Sequence, residues 1–360
     1  MRLKVTHTSL YRYQPAVETA QHFLHLKPRE MPCQRLESHH LSIAPEPTEL
    51  FESKDFYQNP THYLALLTQH ERLSITSESV LNTWSFGQPQ HPFAQMDLHW
   101  GHTTESSSYQ VQTHVQMQGS DYNTFQSKPL NSTLNRDSLS AGPSPLINHW
   151  LEASALVARE HYEYNAGKRF DEASDFLFDS PHIPRLEVFN QYAKRTLSAN
   201  TSLLEGLKQL MGLIHKEFLY QSKSTQVNTP LIDIFESRKG VCQDFAHIMV
   251  ACCRSFGLAA RYVSGYILTY PAPGQPRLIG TDASHAWASV YLPPTPKSQE
   301  PTGIWFDFDP TNNRCGIFSP GEDYIVTAWG RDYSDVSPVR GVIQGGNDHL
   351  LDVAVTVEPL

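Results

Sequence analysis

The sequence is short of several things that would place it in a class at once. It has five cysteines in 360 residues, an odd number: Cys33, Cys242, Cys252, Cys253 and Cys315. None are spaced as a Cys-x-x-Cys pair, which argues against a disulfide scaffold and against paired zinc ligands, and for a reducing compartment. No apolar run approaches the ~20 residues a membrane-spanning helix needs, so no membrane partner is expected. The opening Met1-Arg2-Leu3-Lys4-Val5-Thr6-His7 has no apolar stretch of the secretory kind, and a cytoplasmic location is expected. Charged residues make up only 18%, with 28 Lys+Arg against 37 Asp+Glu, a formal net charge of -9 and no basic run. Binding to nucleic acid through phosphate contacts is therefore disfavoured. Gly345-Gly346 does not match a phosphate loop, and no Asp-x-Asp-x-Asp-Gly calcium loop occurs. The 18 histidines mostly stand singly, so no metal and no cofactor is implied.

A hydrophobic fraction of 39% is that of an ordinary globular protein, and the length suggests about two domains. The early residues alternate at period two. Leu3, Val5, His7, Ser9 and Tyr11 share one face, and Tyr63, Ala65 and Leu67, then Leu73 and Ile75, repeat the pattern. Short strands broken by Pro and Asn predict an antiparallel β domain over residues 1–165. Within it, 86–145 is rich in Ser, Gln, Thr and Pro, and Tyr109 to Met117 alternate as an edge strand would.

After Pro145 the period changes. Leu146 to Tyr162 and Arg185 to Leu197 have helical spacing, and Ser202 with Glu205 forms a capping-box signature ahead of the stripe Leu203, Leu207, Leu210, Ile214 and Phe218. A helix from Pro230 is expected to end at Arg238-Lys239 with Gly240 as its stop, and another runs from Val241 to Phe256, closed by Gly257. Strands follow at Arg261 to Leu268, His285 to Leu292 and Ile304 to Asp309. Helices followed by strands predict an α+β core over 166–330, with helices packed on an antiparallel sheet. Residues 331–360 form an extension ending in a strand marked by Leu351, Val353, Val355 and Val357.

Chemistry concentrates at three positions. Cys242 stands at a helix start, where free N–H groups and the helix dipole favour thiolate over thiol and can receive an oxyanion. Cys252 and Cys253 lie deep in the apolar stripe of the same helix and read as small buried hydrophobes, and Cys33 and Cys315 as bystanders. A hairpin centred on Lys297 sets His285 opposite Asp309 and Trp287 opposite Asp307, on one face of the sheet. A carboxylate beside an imidazole fixes its tautomer and stabilises the imidazolium, which in turn stabilises a thiolate. Asp307 competes for the orienting role but faces Trp287 in that pairing. Asp244 is expected to serve the helix N-terminus and His247 the core. Tyr220 is a candidate for assisting the oxyanion hole, and Trp287 for walling the cleft.

Gly240-Val241-Cys242-Gln243-Asp244-Phe245-Ala246-His247, Ala260 to Tyr266, Ala283-Ser284-His285-Ala286-Trp287 and Phe308-Asp309-Pro310-Thr311-Asn312 together resemble the bacterial transglutaminase-like cysteine peptidase family. The opening, with Thr8, Tyr11, Tyr13 and Leu24 to Pro28, is similar to that family's N-terminal β domain. The resemblance implies a papain-like core with a Cys242, His285 and Asp309 triad. Cross-linking transglutaminases, peptidases, amidases and acyltransferases share this superfamily, so fold alone does not choose the substrate. The expected activity is hydrolysis of amide bonds in a peptide or protein substrate through a thioester. The alternatives are transfer of glutamine side chains to primary amines, and a catalytically silent binding module.

Overall fold

The computed structural model describes residues 1–85, 153–163, 170–222, 224–269, 284–294, 303–346 and 348–360. The strand expected at Tyr109 to Met117, and residues 146–152 of the helix expected from Leu146, lie outside these.

The alternation at the start produces one long strand, β1 (Arg2–Leu24), whose Leu3, Val5, His7, Ser9 and Tyr11 are all buried. It is followed by β2 (Gln34–Ala44), β3 (Glu49–Lys54), β4 (Pro60–Leu66) and β5 (His70–Thr83), in the antiparallel order β2-β5-β1-β4-β3. The alternation expected at Tyr63, Ala65 and Leu67 holds only at Ala65, which is buried. Leu64 and Leu66 are fully buried in the half-barrel core, while Leu67 is 55% exposed. Both faces of this strand carry apolar residues, so alternation alone could not choose between them, and a shift of one residue exchanges every side chain.

The second half of the chain begins with α1 (Ala155–Glu160), a short 3-10 helix (Glu172–Leu177), α2 (Glu187–Ala193) and α3 (Leu203–Glu217). Then come β6 (Leu219–Tyr220), α4 (Leu231–Ser237), β7 (Lys239–Gly240) and α5 (Cys242–Phe256). The strands β8 (Ala260–Ile267), β9 (Ser284–Leu292), β10 (Ile304–Asp309), β11 (Arg314–Ile317) and β12 (Tyr324–Gly330) form an antiparallel sheet ordered β11-β10-β9-β8-β12. A short α6 (Tyr333–Val336) leads to β13 (Val339–Gly345) and β14 (Asp348–Pro359).

Ser202 caps α3 by accepting the Glu205 N–H, and the stripe Leu203, Leu207, Leu210, Ile214 and Phe218 is buried as its spacing requires. Those side chains meet Phe245, Ile248, Cys252 and Phe256 of α5 and Ala288, Val290 and Phe308 of the sheet in one core. Gly257 closes α5 at φ +102°. The stop of α4 is not Gly240 but Arg238, which adopts the left-handed conformation at φ +57°. Its guanidinium lies over the rings of Phe235, Phe218 and Tyr192 at 4.1, 4.6 and 5.1 Å, and those contacts offset the strain of a non-glycine residue there.

Ala155 and Ala158 pack into the core formed by α3 and α5, so this helix belongs with the second half of the chain although it precedes residue 165. The extension after 331 supplies two strands, both of which return to β1. The first arm of β1 lies between β5 and β14, and the second between β4 and β13. The core is thus inserted between strands of the β domain.

The two halves also meet along the outer edge of β12. The Gln34 amide bonds both N–H and C=O of Val326, at 2.8 Å each, and the Asn59 amide does the same for Trp329 at 3.0 and 2.8 Å. Each amide stands in for the missing strand at that edge. Beside them Arg29, Trp329, Arg261 and Trp305 alternate in a stack, with guanidinium-to-ring distances of 3.5, 3.8 and 4.0 Å.

Candidate active site

Cys242 is the first residue of α5 and is half-buried. The helix start is held from within. Asp244 turns back to accept the Val241 N–H at 2.8 Å and the Thr225 hydroxyl at 2.6 Å. Burial pushes the Asp244 carboxyl up, and these two bonds oppose that rise. Gly240 makes the arrangement possible, because a Cβ there would stand 2.7 Å from Asp244 Oδ2. The β6–β7 pairing sets Tyr220 opposite Gly240, two residues before Cys242, with the Tyr220 ring 6.4 Å from that of Phe245. Burial first, then the neighbouring Cys242, raise the Tyr220 phenol, which keeps it a hydrogen-bond donor.

His285 lies near the start of β9 and Asp309 at the end of β10. The hairpin register differs by two residues from the expected one. Asp307 faces Ser289 and Phe308 faces Ala288, so Asp309 is not directly across from His285. A shift of two preserves the face, and the two side chains meet diagonally. His285 Nε2 lies 2.7 Å from Asp309 Oδ2. With Nε2 occupied, Nδ1 is the ring nitrogen left to exchange a proton with Cys242, which interacts with the imidazole. Burial disfavours the charged ring, but Asp309 and Cys242 outweigh it and raise His285 to about 10. Asp309 is fully buried. Burial alone would raise its carboxyl, yet the His285 hydrogen bond and charge, with Tyr324 and Asn312, hold it below the usual carboxylate range.

Trp287 is fully buried and lies behind His285 instead of along a cleft, with its Nε1 donating to Asp307 Oδ2 at 2.7 Å. Its ring packs against Val263, Tyr324 and Val326. The Asp307 carboxylate is taken up by Trp287 and Ser289 and feels the Arg261 charge, and makes no bond to the imidazole. His247 is a buried acceptor for the Tyr333 N–H, stacked on His182 at 5.8 Å. Cys252 and Cys253 are buried, and burial pushes the Cys253 thiol up to about 12. Among the described residues no group of three or more His, Cys, Asp or Glu is arranged to hold a metal ion.

Two residues of the site escaped the sequence reading. Asn312 donates to Asp309 Oδ2 at 2.8 Å, and the Tyr324 hydroxyl donates to the same oxygen at 2.7 Å. Asn312 stands in the Asp-Pro-Thr-Asn segment and could have been found as a turn residue returning on its aspartate. Tyr324 comes from β12, on the far side of the sheet order, and no local pattern connects it to position 309.

Comparison with known proteins agrees with this geometry. Residues 3–82 match the bacterial transglutaminase-like N-terminal region, and residues 190–310 match the transglutaminase-like superfamily core. An uncharacterised protein of Mycobacterium tuberculosis is 32% identical over 359 residues, covering 99% of this chain and 93% of that one. A second from Mycobacterium leprae is 35% identical over 144 residues, covering 39% of this chain and 45% of its own length. The crystal structure of a candidate cysteine protease from Cytophaga hutchinsonii has the same fold, with a TM-score of 0.62 at 16% identity, over 99% of this chain and 90% of that one. A half-barrel of antiparallel strands, a helix opening on cysteine and a sheet carrying histidine and aspartate thus place the chain in the bacterial transglutaminase-like family, to which it belongs.

Proposed function

We propose that the chain is a cysteine-dependent hydrolase of amide bonds in peptides or proteins, with Cys242, His285 and Asp309 as its triad. One observation carries this reading: a thiol at a helix N-terminus interacts with an imidazole whose other nitrogen is 2.7 Å from a buried carboxylate. The Cys242 sulfur as thiolate attacks the carbonyl carbon, and the carbonyl oxygen takes up the electron pair. The Cys242 N–H and the Tyr220 hydroxyl receive that charge. His285 gives its Nδ1 proton to the departing amine, and the C–N bond breaks to leave a thioester. Water then loses a proton to His285 and attacks the thioester, releasing the acid and the thiolate. Asp309 keeps the imidazolium oriented throughout and stays ionised. Water suffices as the acceptor, which favours hydrolysis over transfer to an amine.

The test is the rate of Cys242 alkylation by iodoacetamide against pH, read by mass spectrometry, in the parent protein and in His285→Ala. Selective labelling of Cys242 under acidic conditions that disappears in His285→Ala supports the reading and justifies a peptide screen for amine release. Labelling that follows an ordinary thiol, at ~8.5 in both proteins, refutes it. Acceleration of turnover by an added primary amine, with a new amide in the product, would replace hydrolysis by transfer.

A further inference from the structure

Asp309 is engaged by more donors than orienting one imidazole requires. Oδ2 accepts from His285 Nε2 at 2.7 Å, from the Tyr324 hydroxyl at 2.7 Å and from Asn312 Nδ2 at 2.8 Å. Oδ1 accepts the backbone N–H groups of Thr311 and Asn312 at 2.8 and 3.2 Å. A carboxylate offers about four lone-pair positions, so this one is saturated. Asn312 Nδ2 also stands 3.3 Å from His285 Nε2 and straddles the bond between acid and base. Tyr324 is buried, edge-on to Trp287 at 5.4 Å, with its ring 5.9 Å from that of His285.

We propose that Tyr324 is a positioning residue which, with Asn312, draws charge from Asp309 Oδ2 and so sets how readily His285 releases its proton to the leaving group. The proposal rests on the hydrolase reading above and adds to it a control of the acid step. A neutral donor on Oδ2 weakens that oxygen's hold on the imidazolium. Without the hydroxyl, more of the charge falls on His285, and the imidazolium becomes a weaker acid. The other groups facing the ring do not supply this control. From α5 comes Cys242, from β10 Asp309, and from β8 only Gly265, paired with His285. From β11 the Arg314 guanidinium lies 4.8 Å from the centre of the Tyr324 ring, tied to Asp323 by two contacts of 2.6 Å.

Tyr324→Phe keeps the ring and removes the hydroxyl. In a Cys242→Ala background, which removes the thiol's contribution and lowers the midpoint into a workable range, His285 is titrated by NMR of histidines labelled at Cε1. The signal is assigned by its loss in His285→Ala. The midpoint should rise by about one pH unit, the scale of a hydrogen bond to a charged group. Asn312→Ser, at an exposed turn position, should move it the same way and serves where Tyr324→Phe fails to fold. With Cys242 restored, kcat/KM for an amide with a basic leaving group should fall by up to about tenfold, while a matched activated ester, which needs no protonation, stays nearly unchanged. A midpoint that stays or falls in both variants overturns the proposal, as does an equal loss on amide and ester, which a purely structural role would give. Absence of an activated Cys242 in the parent protein would instead overturn the hydrolase reading, so the two failures are distinct.

Discussion

Replacing Asp309 by asparagine removes a negative charge from a fully buried position and leaves the volume nearly unchanged. Burial opposes the His285 imidazolium, yet the group stands at about 10 against an ordinary 6.5. At about 1.36 kcal/mol per pH unit, that gap is worth ~5 kcal/mol. Asp309 and Cys242 together supply more than this, because burial works against them. The Asp309 contact is a hydrogen bond between charged groups, a class typically worth ~1.5–3 kcal/mol. The imidazolium midpoint of Asp309→Asn should therefore fall by about two pH units. The sign for stability follows. A base raised on folding contributes fully below its ordinary value, 6.5, and loses that contribution as pH climbs through about 10. In the variant the loss should come about two pH units sooner, so the parent's advantage in thermal unfolding narrows between about pH 8 and about pH 10. The asparagine NH2 must also face donors, since each Asp309 oxygen accepts at least two, which costs a further ~1–3 kcal/mol at every pH. Titration of the labelled His285 is the direct assay. An unchanged midpoint in Asp309→Asn would refute the assignment of the imidazolium to that carboxylate.

Cys242→Ala should abolish turnover and iodoacetamide labelling at this position while lowering stability by less than ~1.5 kcal/mol, since the thiol is only half-buried; retained turnover would exclude the thioester route. Gly240→Ala should drive Asp244 from the Val241 N–H, costing roughly 1–2 kcal/mol in chemical denaturation and slowing Cys242 alkylation. Arg261→Leu should destabilise by roughly 3 kcal/mol, because it deprives the buried Asp307 of its cation. Burial already raises the Asp307 carboxyl and the Arg261 charge opposes that rise, so the loss should deepen as pH rises through the carboxylate range, and Asp307→Asn should relieve it; thermal unfolding across that range is the check.

The proposed triad was legible because each member sits where a periodic element begins or ends. The apolar spacing of α5 fixed the helix that opens at Cys242, and period two placed His285 and Asp309 on one face. That inference survived a register error of two residues, since an even shift leaves every side chain on its own side. The inward face of β4 had no such protection, because Tyr63 and Ala65 compete with Leu64 and Leu66 on equal terms. Arg238 was passed over as a helix stop because the rings that hold it come from Tyr192, Phe218 and Phe235, on three different segments. Tyr324 and the return of β13 and β14 to β1 are long-range pairings of the same kind, for which local periodicity carries no information.

The pairing of Leu3 with Pro359 and of Gln14 with Asp348 joins strands more than 330 residues apart in the order of synthesis, roughly the whole described chain. At ~5–20 residues per second, the nascent chain waits roughly 20–70 s between the two. Throughout that interval the first arm of β1 can pair with β5 on one flank only, and its other edge is a template open to any neighbouring chain. Arg2 and Lys4 on the outward face of that arm are already paired with Glu37 and Glu78, so Arg12 is the charge that guards the open edge. Once β14 arrives, Arg12 meets Asp352 at 2.5 Å, and a guard against aggregation becomes part of the finished sheet. The half-barrel is therefore the last part of the molecule to close, around a core whose own strands are all made before it.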